Sequence, residues 1–235
     1  QIAALSSTNV KGLSSAQLLA LSSSQIAALE TDDFAQLSSA QLGALSSKQG
    51  AGLTTAQLAS LDSAELSKLS TAAVQGLSTA AIAGLSSTQV PGLTTAQLAA
   101  WTTSVQIRAL ESADLAQLSS AQVKSLSSAQ LGYLSSAQLA ALSGAATGVL
   151  GTNTIASLNS ADLAALTSAQ VAGLSTAQLQ ALSSAQVPGL GTEDIAALSS
   201  VQIGALRTAS LAGLSTDQIA ALSSTNVKGL SSAQL

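Results

Sequence analysis

Leu13-Ser14-Ser15-Ala16-Gln17-Leu18-Leu19-Ala20-Leu21 is the stretch whose spacing decides the fold. Leu18 and Leu21 are three residues apart, a neighbour relation on a helix and not on a strand. Ser14 and Gln17 stand at the spacing of a capping box. There the hydroxyl accepts from the N3 backbone N–H, and the N3 side chain reaches back to the N–H of the cap. Leu13 and Leu18 flank the box as a hydrophobic staple. The stretch therefore predicts a helix that begins at Ser15 and runs for barely more than a turn.

The same set returns at Leu37-Ser38-Gln41-Leu42, Leu134-Ser135-Gln138-Leu139 and Leu182-Ser183-Gln186-Val187. With Leu5 as position 1, an eight-residue unit L-S-S-A-Q-[LVI]-A-[AG] recurs 29 times to Leu235, the last time truncated. Position 1 is Leu in 28 units, the exception being Trp101, and position 3 is Ser or Thr in 28, the exception being Gly144. Position 6 is aliphatic or Phe34 almost throughout. Position 5 is mostly Gln, with Asp33, Glu65, Asp114, Asp162 and Asp194 as acidic substitutes. Position 8 is small; Gly12, Gly76, Gly84 and Gly173 are expected to close helices in the left-handed conformation. Pro91 and Pro188 both occupy position 7, each followed by Gly. Position 2, the expected cap, also admits Glu30, Glu111, Gly151, Gly191 and Arg207. Position 3 is stricter, so either it is the true cap or its hydroxyl is buried and bonds a neighbouring backbone group.

One long helix does not fit, because eight residues at 3.6 per turn rotate the apolar stripe by roughly 80° per unit. Nor is one octad stable alone, since isolated helices below about 12–15 residues are marginal in water. Units that cannot bury their apolar face singly must stack, which is the logic of repeat proteins. The sequence thus predicts an all-α repeat: a solenoid of very short capped helices, one per eight-residue repeat, with positions 1 and 6 as two internal ladders. A β-solenoid is the alternative. The number of octads per coil stays open, two giving a flat coil and three a triangular one.

Residues 1–18, QIAALSSTNVKGLSSAQL, recur unchanged as 218–235, a higher-order period of 217 residues. Residues 1–235 read as a single continuous array, a window of a longer chain. Three units break the rule. Unit 45–52 has Gly50 at position 6, unit 101–109 has nine residues with Trp101 in place of Leu, and unit 142–149 has Thr147 at position 6. They read either as drift in a tolerant array or as joints.

Composition argues against chemistry. The chain has no His, Cys or Met, and 8% of its residues are charged, against about 25% in typical soluble domains. Serine without a neighbouring base is not a nucleophile, so the serines read as caps. No enzyme is expected, and no catalytic, cofactor or metal site. Glu30, Asp32 and Asp33, and Glu193 with Asp194, are clustered carboxylates of the kind that can hold Ca²⁺ or exchange protons. Here they fall in first turns of the expected helices, where negative charge is favoured, and a capping role is expected. Seven scattered Lys and Arg give no basic stripe for nucleic acid, and no apolar run is long enough to span a membrane. Trp101 and Tyr133 are too isolated to be a stacking platform and read as core or joint residues.

Units such as LSSAQLAA (134–141) and LSTAQLQA (174–181) resemble the low-complexity repeat regions of large secreted bacterial surface and fibre proteins. That resemblance implies an extracellular or cell-surface location and a scaffolding role. A surface of Ser, Ala, Gln and Thr with little charge favours association. The expected function is a structural protein forming a filament or fibre by stacking and lateral self-association; a repeat-scaffold binding module or an adhesin stalk is the alternative. Far-UV circular dichroism of the purified chain is expected to show a helical spectrum, where a single β minimum would support the β-solenoid and a coil spectrum a linker.

Overall fold

The computed structural model describes residues 2–235. Among them every regular element is helical, with 25 short α-helices, four 3-10 helices and no strand. The all-α repeat solenoid is therefore the fold, and the β-solenoid alternative falls away.

Each helix begins where the octad places it. The helix Ser15–Leu19 starts at position 3, with Ser14 as extended N-cap. The Ser14 N–H donates to Gln17 Oε1 at 2.9 Å, and the Gln17 N–H donates to Ser14 Oγ at 3.2 Å. The same reciprocal pair closes at Thr54–Gln57 and Thr94–Gln97. The ends differ from expectation. No described residue has a positive φ; Gly84 and Gly173 are right-handed. Many helices stop because the next position-1 leucine turns extended, as Leu13 does at φ −67°, ψ 129°.

The glycines have another reason to be small. A Cβ on Gly52 would overlap the backbone of Ser23, and one on Gly76 the backbone of Ser47. The same meeting joins Gly92 to Ser63, Gly189 to Ser160 and Gly213 to Ser184. Position 8 thus lies against the backbone of position 3 of an earlier helix, and its size is set by coil-to-coil contact.

The chain forms two compact units, Gln1–Gln117 and Leu118–Leu235. In the first, Ser15–Leu19 packs on Ser39–Ala44 and Thr31–Phe34 on Thr55–Ala59. In the second, Ser136–Ala141 packs on Ser160–Ala165 and Thr152–Ser157 on Thr176–Ala181. In both units most helices meet the one three octads on, while position-5 side chains reach back 28 and 31 residues. The coil therefore returns on itself after three to four octads, more than the two of a flat coil. Positions 1 and 6 fill its interior: Leu18, Ile26, Leu42, Leu45, Leu58, Leu66 and Leu98 are essentially inaccessible.

The three irregular units are each compensated locally. Gly50 stands where an aliphatic side chain is usual, and the chain of Ala73 moves into the space; a Cβ on Gly50 would overlap the Ala73 carbonyl. At 101–109 the extra residue precedes the cap Thr103, so the following glutamine is displaced by one. Gln106 donates to the Gln75 carbonyl at 2.8 Å, and the buried Trp101 indole N–H takes the Val74 carbonyl at 2.9 Å. At 142–149 the buried Thr147 donates its hydroxyl to the Ser143 carbonyl at 3.1 Å. Pro91 and Pro188 lie in the 3-10 helices Val90–Gly92 and Val187–Gly189.

Gly76→Ala is expected to destabilise the fold by about 1–3 kcal/mol, the usual cost of overpacking. Gly12→Ala, whose added methyl meets nothing within 4 Å, is the control and should be neutral or mildly stabilising; urea unfolding of both variants checks this.

Candidate functional site

The feature that repeats with fixed geometry is the contact between successive coils, and its centre is the amide of position 5. Gln57 shows the arrangement. Its Oε1 accepts from the Thr54 N–H at 3.0 Å, completing its own capping box. Its Nε2 donates to the Ile26 carbonyl at 2.8 Å and the Leu29 carbonyl at 2.9 Å. Those two oxygens belong to the last turn and C-terminal flank of a helix one coil back; the Ile26 carbonyl also takes the Leu29 N–H at 3.2 Å and accepts the amide on its second lone pair. One side chain thus satisfies the start of one helix and the end of another. Gln41, Gln49, Gln89 and Gln97 do the same in the first unit, and Gln170, Gln178, Gln186 and Gln218 in the second. All nine are buried.

A carboxylate at position 5 can close the box but cannot donate backwards. The Gly191 N–H donates to Asp194 Oδ2 at 2.7 Å and the Asn159 N–H to Asp162 Oδ2 at 3.1 Å. The second carboxylate oxygen then takes a hydroxyl from the coil before. Ser7 Oγ donates to Asp33 Oδ1 at 2.6 Å, Ser136 Oγ to Asp162 Oδ1 at 2.9 Å and Ser168 Oγ to Asp194 Oδ1 at 2.7 Å. Every one of these serines is at position 3. In these contacts the position-3 hydroxyl reaches the neighbouring coil while position 2 supplies the cap; elsewhere position 3 is exposed, as at Ser39, Ser47 and Thr95. The box tolerates Gly191 or Glu111 at position 2 because the half that serves the cap N–H needs no side chain there.

The carboxylate clusters are thereby divided. Asp33 and Asp194 are buried in inter-coil contacts, while Glu30, Asp32 and Glu193 point to solvent. Among the described residues no three His, Cys, Asp or Glu side chains come together as a metal site, and no helix is long and apolar enough to cross a membrane. All seven Lys and Arg are exposed. Trp101 lies in the core and Tyr133 is half-buried. Sequence reading found the capping half of the position-5 role and missed the other half. The signal was available, since a box alone would accept Glu as readily as Gln, and this chain strongly prefers Gln.

Burial pushes the Asp114 carboxyl above its ordinary range; the Glu111 N–H opposes the shift and the nearby Glu111 charge adds to it. Because the folded-state pKa lies above the unfolded one, the protonated side chain favours the fold. Stability linked to Asp114 is complete below the unfolded pKa and declines as pH rises through the folded one. Asp114→Asn is therefore expected to be more stable than the parent at pH 7, with the difference closing towards pH 3 in thermal melts.

Gln97→Glu turns a donor facing two carbonyls into an acceptor. It should cost about 1–3 kcal/mol, the penalty of leaving the Leu69 carbonyl without its donor, and the loss should deepen as pH rises and the new carboxyl ionises. Denaturant titration across pH checks both.

The family profile described as the ALTTAQ repeat matches residues 1–31, 26–63, 58–95, 107–144, 148–176, 155–192 and 187–224. The internal gaps, 96–106 and 145–147, fall on the nine-residue unit and on the unit with Thr147 at position 6. No curated protein matches the chain.

Proposed function

The chain belongs to the ALTTAQ repeat family, and on that footing we propose that it is a structural, non-enzymatic protein that builds an extracellular or cell-surface filament from stacked coils. One observation carries the reading: the coil-to-coil contact is made by the same atoms at step after step. A surface that fits the coil before it fits any other copy of that coil equally well, and a heterologous contact of this kind propagates when it does not close. A weakly charged outer surface supports further lateral association between coil stacks. The dispersed Lys and Arg support neither a nucleic-acid partner nor an anionic lipid surface.

Sedimentation velocity and negative-stain electron microscopy of the chain over a wide concentration range test this. Concentration-dependent linear association is the expected result. A chain that stays monomeric at millimolar concentration would overturn the filament reading.

A further inference from the structure

Thr154 stands at position 5, where the ladder requires glutamine, and its octad also lacks a capping side chain because Gly151 is at position 2. Three groups that a glutamine amide serves elsewhere are left in place around it. By the reach of the neighbouring glutamines, 31 and 28 residues back, a Gln at this position would donate to the carbonyls of Val123 and Leu126. Its carbonyl oxygen would accept from the Gly151 N–H, as Gln178 Oε1 accepts from the Ser175 N–H at 2.7 Å. Thr154 is too short for either task. Its hydroxyl donates instead to Ser128 Oγ at 3.2 Å. A half-open cavity of about 310 Å³ lies there, lined by Val123, Leu126, Leu131, Leu150, Gly151 and Thr154 among others. Its walls are aliphatic apart from these backbone groups and a few hydroxyls, with the Lys124 side chain at the rim.

We propose that this cavity binds a small neutral primary carboxamide in the place of the missing glutamine side chain. The amide NH₂ donates to the Val123 and Leu126 carbonyls, the amide oxygen accepts from the Gly151 N–H, and the alkyl group rests on Leu131 and Leu150. The donor and acceptor positions are fixed by the backbone before the ligand arrives, so little order has to be imposed on binding. A carboxylate would set two acceptors against two carbonyl oxygens. An ammonium ion would find no acceptor charge in the lining and a lysine nearby.

Propionamide is the probe, with N,N-dimethylpropionamide and propionate as controls that lack the two donors. Methyl NMR of the leucine-labelled full chain is expected to show saturable shifts at Leu126, Leu131 and Leu150 with propionamide in the millimolar range, and none with either control. Thr154→Gln should abolish those shifts and raise the thermal midpoint by about 2–4 °C, the change expected for one restored amide contact in a chain of this size. Equal shifts with the dimethyl amide, or no shift with propionamide, would overturn the assignment and leave the cavity to water. So would a Thr154→Gln chain that still binds the probe.

Discussion

A single amide group, repeated at position 5, holds the molecule together. Helices of four to six residues expose nearly all their backbone donors at one end and acceptors at the other. In an ordinary domain those groups turn to water or to scattered caps. Here the octad puts the N-terminus of one helix beside the C-terminal flank of another a coil earlier, and glutamine spans the two. Gln89 illustrates it, with its Oε1 accepting from the Ser86 N–H at 2.9 Å and its Nε2 donating to Leu58 and Leu61 at 2.7 Å each. Because the bond lies in the interior, where water competes poorly, losing one partner is costly while an intact row is stable. The leucine ladders supply the burial; the amide rows fix the register in which burial can occur.

The register in turn explains the substitutions the chain tolerates. Ser210, where a glutamine would stand, bonds the Leu182 carbonyl at 2.7 Å through its hydroxyl. Trp101 uses its indole N–H to serve a carbonyl that the displaced Gln106 no longer reaches. Near Ala73, which has no polar group to offer, the hydroxyl of Ser70 donates to the Leu45 carbonyl instead. These are different side chains brought to the carbonyls that a position-5 glutamine serves elsewhere. The irregular units therefore read as local repairs of one hydrogen-bond pattern; at Thr154, among the described residues, no side chain reaches the two carbonyls, and a cavity lies beside it.

Much of this was legible in the octad. The three-residue step from Leu18 to Leu21, the box at Ser14 and Gln17 and the marginal stability of one short helix together require stacked capped helices, because each is a local or a counting argument. The spacing between coils was not legible. Every octad presents the same apolar pair, so two, three or four units per turn satisfy the burial pattern equally well. The glycines misled for a related reason. Gly76 looks like a left-handed helix stop when only its own helix is considered, and it is small because the Ser47 backbone passes against it.

The duplicated segment separates the two kinds of information. Residues 1–18 and 218–235 are the same string, and in both the string alone fixes a serine at position 2, a helical turn after it and an extended leucine beyond. Tertiary surroundings decide the rest. In the first copy Asn9 is exposed, its Oδ1 accepts from the Ser6 N–H at 3.1 Å, and Ser7–Gly12 is α-helical. In the second copy Asn226 is buried and its Nδ2 donates to the Ile195 carbonyl at 3.1 Å. Its Oδ1 is left unpaired, and the turn Asn226–Gly229 tightens to a 3-10 helix. Val10 is fully buried by the coil that follows it, whereas Val227 is 37% exposed. Asparagine is one methylene too short to serve both helix ends at once, so each copy serves only one of them.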